Sequence, residues 1–237
     1  MTGGASGLGA ATAERLRAEG LAVTTLDIRG PVDLVADVTD EAALSRAASQ
    51  VGPVDVLVNS AGIVGANKPL LETTEKDWDI QSDVMAKGSF LASQAAVQVM
   101  KDQGTGGDIV YIVSKNAVFA GPNNVAYGAA KANQAHQVRL LAAELGEMGI
   151  RVNGINPDGV VRGSKIFAGG WGAQRAAVYG VKEEELGAYY AGRTLLKLEV
   201  LPESIAAAVF ALLSGDLGLT TGAHIPVDSG VAAAFLR

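Results

Sequence analysis

Short apolar runs alternate with longer alanine-rich stretches along most of the chain. The runs rich in β-branched residues predict strands, which are Leu21–Leu26, Val54–Asn59, Asp108–Val113 and Ile150–Asn156. The stretches between them have helical patterns. Such alternation is typical of a parallel sheet, because right-handed crossovers place the connecting helices on both faces. We therefore predict an α/β fold built on one doubly wound, Rossmann-type parallel sheet.

The longest predicted helices are Glu75–Gln103 and Val125–Met148, and Thr74 is a suitable N-cap for the first of them. After residue 160 the pattern loosens, and a charged helical piece, Lys182–Tyr190, follows a glycine-rich turn. We expect one domain over residues 1–237, with a substrate lid at about 160–194.

A glycine-rich segment, residues 2–9, precedes a helical stretch, Ala10–Glu19. The start of such a helix offers free backbone N–H groups and the positive end of a dipole to a pyrophosphate, although a flexible connection would have a similar composition. The predicted contacts are Gly3, Ser6, Gly7, Leu8 and Gly9. Only Met1 remains for the strand that normally precedes this loop, so we expect the first, central strand to be largely absent, through truncation or a damaged sheet.

Asp27 ends the strand that follows this helix, where an acidic residue accepts hydrogen bonds from the adenosine ribose. Its charge would repel a 2′-phosphate, so the cofactor is expected to be NAD, although Arg29 offers some compensation and an exposed Asp without a role is the alternative. Further cofactor contacts are predicted after the next two strands, at Asp37, Val38, Asn59, Ala61 and Gly62.

Tyr127 and Lys131 lie four residues apart at the start of a predicted helix, and therefore on one face. An ammonium beside a phenol favours the phenolate, so Tyr127 would exchange a proton with a substrate hydroxyl near neutral pH. Lys131, with Tyr127, would also hold the nicotinamide ribose. Ser114, at the end of the preceding strand, would hydrogen-bond the reacting oxygen. Taken separately, these residues are also common as surface and turn features.

The charge pattern excludes several classes of partner. The net charge is −6, and no Lys/Arg-rich run is present, so nucleic acid and anionic membranes are not expected partners. No apolar run approaches the roughly 20 residues of a membrane span, no signal-peptide pattern is present, and there is no cysteine, so a cytoplasmic protein is expected. The two histidines, His136 and His224, lie far apart, and we predict no catalytic metal.

These motifs, in this order, resemble the short-chain dehydrogenase/reductase family over essentially the whole chain. The matching residues are Thr-Gly-x-x-x-Gly-x-Gly at 2–9, Asn59-x-Ala61-Gly62, Ser114 and Tyr127-x-x-x-Lys131. The resemblance implies a sheet of order 3-2-1-4-5-6-7, hydride transfer between NAD(P) and a carbonyl or alcohol, and a homotetramer formed by the two long helices. It also implies that Pro157 and Val160 lie beside the nicotinamide. Met85 stands where the family commonly has an Asn that supports a proton-relay water.

Residues 107–237 resemble more closely the dehydrogenase half of bifunctional rhamnulose-1-phosphate aldolase/dehydrogenases. The segments that carry this resemblance are 107–111, 114–124, 166–172 and 233–237. It implies oxidation of L-lactaldehyde to L-lactate in rhamnose catabolism. A small polar substrate also agrees with the composition of the predicted lid and of the segment after Ser114, and ordinary surface placement is the alternative for the residues concerned, which are Lys115, Asn116, Lys165, Trp171 and Arg175. The alternatives are a sugar or polyol dehydrogenase of the same family, and a non-catalytic NAD-binding or scaffold protein.

Overall fold

The computed structural model describes residues 1–64, 68–163 and 170–235, and its strands are parallel. The strands are β1 Leu26–Asp27, β2 Leu34–Val35, β3 Val56–Asn59, β4 Gly107–Ile112, β5 Ile150–Pro157 and β6 His224–Val227. β1 pairs with β2, and β3, β4, β5 and β6 pair in that order. The predicted strands after the first are found within two residues of their expected bounds.

Thr2 occupies the place of the first, central strand. It forms single parallel bridges with Leu26 on one side and Asn59 on the other. The carbonyl of Met1 accepts a hydrogen bond from Leu26 N at 2.8 Å, and Thr2 N donates to the carbonyl of Val58 at 3.0 Å. The order across the sheet is therefore β2, β1, Thr2, β3, β4, β5, β6. This is the predicted order 3-2-1-4-5-6-7, with the first strand reduced to the two single bridges of Thr2.

The strand expected over Leu21–Leu26 is wrong in its bounds, because regular pairing begins only at Leu26. The physical reason is that a ladder needs a paired neighbour. Among the described residues, Met1 and Thr2 pair beside Leu26, and this pairing does not continue as a ladder along residues 21–25.

Helices cover both faces of the sheet. They are α1 Gly7–Ala18, α2 Glu41–Val51, α3 Glu75–Gln81, α4 Gly88–Gln103, α5 Val125–Leu145, α6 Trp171–Tyr179, α7 Leu186–Gly192 and α8 Pro202–Leu213. Alternate residues of β4 point to opposite faces: Ile109 and Tyr111 join the core under α4 and α5, and Val110 and Ile112 join the core under α8. In the described ranges, no helix has the length and apolar character needed to cross a membrane.

The long helix expected over Glu75–Gln103 is interrupted, because Ser82–Lys87 forms a π-helical segment between α3 and α4. Its start is as expected: the Thr74 side chain accepts from Asp77 N at 3.1 Å, and the Asp77 carboxylate accepts from Thr74 N at 2.9 Å. The predicted lid contains α6 and α7, while its residues 164–169 lie outside the described ranges.

Candidate active site

A cavity of about 1460 Å³ opens at the carboxyl ends of the strands, where ligands bind in open parallel sheets. The structure brings almost all of the predicted site residues to its wall. They are Gly3, Ser6, Gly7, Leu8, Gly9, Asp27, Asp37, Val38, Ala61, Gly62, Ser114, Tyr127, Lys131, Pro157 and Val160. The cofactor half and the chemical half of the predicted site thus share one space.

The glycine-rich loop is packed too tightly for side chains at Gly3, Gly4 and Gly9. A Cβ at Gly9 would lie 2.0 Å from the carbonyl oxygen of Gly3, and a Cβ at Gly3 would lie 2.6 Å from Ala61 N. Ser6 N-caps α1 with extended backbone, and no side-chain hydrogen bond caps this helix start among the described residues. The first turn of α1 also has no acidic residue. The loop therefore presents backbone N–H groups to the cavity and suits a pyrophosphate.

The Asp27 carboxylate is fixed beside this loop. One oxygen accepts from Ala5 N at 3.2 Å, and the other accepts from Ile28 N at 2.8 Å. Arg29 also lines the cavity. The arrangement fits a ribose with free hydroxyls next to the carboxylate, and Arg29 is a cation on the same cavity wall that would suit a 2′-phosphate.

Asn59 is the predicted cofactor contact that the structure does not bring to the cavity wall. Its side chain is buried against α4, where Nδ2 donates to Ser93 Oγ at 2.9 Å. Ser93 Oγ in turn hydrogen-bonds Tyr111 Oη at 2.7 Å. The side chain thus stabilises the packing of α4 on β3 and β4, and contact between Asn59 and a cofactor stays a prediction.

Ser114 and Tyr127 meet at the carboxyl end of β4. Ser114 N-caps a short 3₁₀ turn, and its Oγ accepts from Asn116 N at 3.1 Å, which orients the hydroxyl. Burial raises the pKa of Tyr127, the Asp158 carboxylate raises it further, and a polar contact with Ser114 opposes this rise. A group that must lose its proton therefore needs a nearby cation to do so at neutral pH.

Lys131 is the cation closest in sequence to Tyr127, and its Nζ lies 5.9 Å from the centroid of the Tyr127 ring. The side chain is only 5% exposed, and burial lowers its pKa to about 7. Nζ donates to the carbonyl of Ile112 at 2.9 Å and to Gln134 Oε1 at 2.8 Å. The charge of Lys131 thus decreases as the pH rises through about 7, within the range in which the site would operate.

A buried ion network that we did not predict lies at the same end of the cavity. Lys115 Nζ lies 3.0 Å from Asp158 Oδ1, with both side chains less than a tenth exposed. Arg193 Nη2 approaches the other carboxylate oxygen at 3.4 Å, and the Arg193 guanidinium lies 4.3 Å from the centroid of the Tyr190 ring. A signal was present in the sequence, since an acidic residue follows Asn156-Pro157 at a strand end and a Lys follows Ser114.

The lid side of the cavity is aromatic and basic. Tyr179, Tyr190, Trp171, Arg175 and Arg193 line it, together with Lys115 and Asn116. Gly159 permits this packing, because a Cβ there would lie 2.5 Å from the Tyr190 ring. Of the residues expected to be available to a substrate, Lys165 falls outside the described ranges and the other four line the cavity.

The chain matches the family model described as Enoyl-(Acyl carrier protein) reductase over residues 3–232. It is 39% identical to the uncharacterized oxidoreductase YuxG of Bacillus subtilis (strain 168), over all of this chain but only 37% of YuxG. It is 30% identical to the 4-formylbenzenesulfonate dehydrogenase TsaC1/TsaC2 of Comamonas testosteroni, over 97% of this chain and 95% of that one.

A solved structure gives the same result for the fold. The sorbitol-6-phosphate 2-dehydrogenase SrlD of Erwinia amylovora superposes with a TM-score of 0.90 at 26% identity, covering 100% of this chain and 98% of that one. The family model spans nearly the whole chain, and the glycine loop and the Ser114, Tyr127 and Lys131 side chains line one cavity. The chain therefore belongs to the short-chain dehydrogenase/reductase family of oxidoreductases, whose members use nicotinamide cofactors.

Proposed function

We propose that this chain is an NAD-dependent dehydrogenase that oxidises a small hydroxyl- or aldehyde-bearing metabolite, with Tyr127 as the acid/base. The observation that carries the proposal is the placement of Ser114, Tyr127 and Lys131 on the wall of the cavity that also contains the glycine loop and Asp27. A hydride donor and its acceptor need to meet in such a shared space, screened from water.

The cavity has groups suited to each part of NAD. The uncapped start of α1 suits the pyrophosphate, and Asp27 suits the adenosine ribose. Asp37 and Val38 would border the adenine, while Pro157 and Val160 would border the nicotinamide. The fixed carboxylate of Asp27 favours NAD over NADP, and Arg29 is the group through which NADP would bind instead.

A bound NAD would supply the acceptor for the hydride that leaves the substrate carbon. Tyr127 takes the proton of the substrate hydroxyl, and the Ser114 hydroxyl donates to the same oxygen as its charge develops. Burial raises the pKa of Tyr127. The Lys131 ammonium, 5.9 Å from the centroid of the Tyr127 ring, is the cation that would favour the phenolate and oppose this effect. An aldehyde enters the same chemistry as its hydrate, which loses a hydride and a proton to give the acid.

L-lactaldehyde, oxidised to L-lactate, is the substrate that we propose first. Its support is the resemblance of residues 107–237 to rhamnulose-1-phosphate aldolase/dehydrogenases. One relative is named as a dehydrogenase of 4-formylbenzenesulfonate, which is an aldehyde, and this name also favours an aldehyde as the substrate that is oxidised. Polar groups near the reacting centre, among them Lys115 and Asn116, suit a small hydroxylated aldehyde.

A polyol or sugar is the second candidate. It is favoured by the TM-score of 0.90 with a structure named as a sorbitol-6-phosphate 2-dehydrogenase. The same Tyr127 chemistry would then act on a secondary alcohol, and the product would be a ketone.

The test is NADH formation, followed at 340 nm, with L-lactaldehyde, sorbitol, sorbitol 6-phosphate and threitol, each with NAD and with NADP. The proposal expects the highest kcat/KM with L-lactaldehyde and NAD, and L-lactate as the product. A preference for a polyol would replace the first candidate with the second. No reduction of either cofactor would support a non-catalytic protein.

A further inference from the structure

The Lys131 ammonium has an unusual second anchor for a buried cation. One acceptor is a backbone carbonyl, that of Ile112, which follows from the position of β4 beside α5. The other is the side-chain oxygen of Gln134, one turn further along α5, at 2.8 Å. Gln134 is itself only 1% exposed, so its side-chain amide is buried in the interior of the protein.

The π-helical segment contributes an apolar side chain, Met85, to the cavity that Lys131 also lines. Met85 lies within Ser82–Lys87, is fully buried, and comes within 3.9 Å of a Cβ built at Gly62. Its thioether is a poor hydrogen-bond acceptor and cannot order water well. The neighbouring carbonyl of Ala86 is already bonded to Gln137 Nε2 at 2.8 Å.

We propose that Gln134 is a positioning residue, whose Oε1 holds the Lys131 ammonium beside Tyr127 in a cavity whose wall residue Met85 is a poor hydrogen-bond acceptor. This inference rests on the proposed function, because it concerns the group that activates Tyr127. The two acceptors of Nζ belong to different elements, the Ile112 carbonyl to β4 and Gln134 to α5.

The contact also favours the charged form of Lys131. An acceptor for an ammonium N–H stabilises the charge, whereas burial opposes it and lowers the pKa to about 7. Burial is the cause of this lowering, and Tyr127 is the titratable side chain that the structure places against Nζ. Removing the Gln134 oxygen should therefore lower the pKa of Lys131 further and leave Tyr127 without its cation at neutral pH.

The test compares Gln134→Met with Gln134→Glu. Methionine keeps the length of the side chain and removes the acceptor, whereas glutamate keeps an acceptor and adds a negative charge. The matched control is Gln81→Met, which removes another buried glutamine, one that donates to the Asp77 carbonyl at 2.8 Å. Urea unfolding verifies that all variants fold.

The readout that needs no activity is an NMR titration of the protein labelled with ¹³C at lysine Cε, with Lys131 assigned from a Lys131→Arg sample. We expect the pKa of Lys131 to fall by at least about 1 in Gln134→Met, to rise in Gln134→Glu, and to stay at its wild-type value in Gln81→Met. A wild-type pKa in Gln134→Met would overturn the inference.

The second readout is the pH profile of kcat at saturating NAD and substrate. In Gln134→Met, kcat at pH 7 should fall by about tenfold or more, and the rising limb of the profile should move to higher pH, with KM changed less. An equal loss of kcat in Gln81→Met would reduce Gln134 to a structural residue and overturn the inference. A wild-type protein that reduces no cofactor contradicts the proposed function, and the NMR titration still decides the role of Gln134.

Discussion

At the residue scale, the buried pair of Lys115 and Asp158 is the clearest departure from what local patterns indicate. Each side chain follows a residue of the predicted site: Lys115 follows Ser114, and Asp158 follows Pro157. Each would be costly to bury alone, and their contact at 3.0 Å, with Arg193 at the second oxygen, compensates this cost. The pair therefore connects the segments that follow β4 and β5, on the wall of the cavity.

Replacing one member of this pair should destabilise the fold strongly. Asp158→Asn leaves Lys115 buried without its counter-charge, and we expect a loss of about 3 kcal/mol in the free energy of unfolding, measured by urea denaturation at pH 7. The control is Glu199→Gln, which breaks the more exposed Arg162–Glu199 pair and should cost less than about 1 kcal/mol. Equal losses in the two variants would show that the buried pair has no special structural role.

The residues that we propose as catalytic and cofactor-binding could be chosen from the sequence because each belongs to a local motif. Tyr127 and Lys131 share a helix turn, and Asp27 ends a strand at a fixed distance from the glycine loop. Asp158 and Arg193 could not be predicted in the same way. Their partners lie on other elements, so no spacing along the chain reveals the contact. Gln134 differs, because it follows Lys131 by three residues on α5, a spacing that places both side chains on one face of the helix.

At the element scale, the connection between β1 and β2 is unusually short for two parallel strands. Parallel strands are ordinarily joined by a crossover of a dozen or more residues, whereas only residues 28–33 join these two. Asp33 stabilises this short connection, because its Oδ2 accepts hydrogen bonds from Thr25 N at 2.8 Å and from Thr25 Oγ1 at 2.7 Å. Arg17 of α1 donates to the same oxygen at 3.0 Å.

Asp33 should make the stability of this edge depend on acid pH. The backbone N–H of Thr25, followed by its hydroxyl, lowers the pKa of Asp33 below its ordinary value of 3.8. Its stabilisation is therefore fully present above that value and is lost as the pH falls through the lower, folded-state pKa. In urea unfolding, Asp33→Asn should be less stable than wild type at pH 7, and the difference should shrink below pH 3.8. A difference that is constant with pH would contradict this.

The π-helical segment was not predictable from periodicity. The apolar positions of residues 75–103 continue across Ser82–Lys87, so the sequence indicates one uninterrupted helix. The interruption is stabilised from outside, by the bond from Gln137 on α5 to the carbonyl of Ala86. Such a tertiary contact has no signature in the local pattern.

At the scale of the whole molecule, α4 and α5 carry apolar side chains that are exposed to water in the single chain. Phe90 of α4 is 45% exposed and Leu140 of α5 is 55% exposed. The predicted homotetramer pairs these helices across a two-fold axis, which would bury such side chains. The assembly stays a proposal, supported by these exposed residues.

Placing a charge on this face should separate the subunits. In Leu140→Lys, the new charge would face either the same residue of the other subunit or an apolar neighbour across the two-fold axis. We therefore expect this variant to be a dimer or monomer by light scattering, under conditions in which the wild type is a tetramer. The control is Val51→Lys on α2, where we expect wild-type assembly. A wild-type molar mass for Leu140→Lys would place the interface elsewhere.

The central claim is tested most directly by Tyr127→Phe, because this change removes one hydroxyl from the wall of the cavity. NADH formation from the best substrate of the panel is measured at saturating NAD. Weaker binding of NAD, caused by loss of the contact between Tyr127 and the nicotinamide ribose, then does not affect the measured kcat. We expect kcat to fall by about 100-fold or more, the typical contribution of a positioned acid/base. An unchanged kcat would show that the proton is transferred elsewhere and that the assignment of the site is wrong.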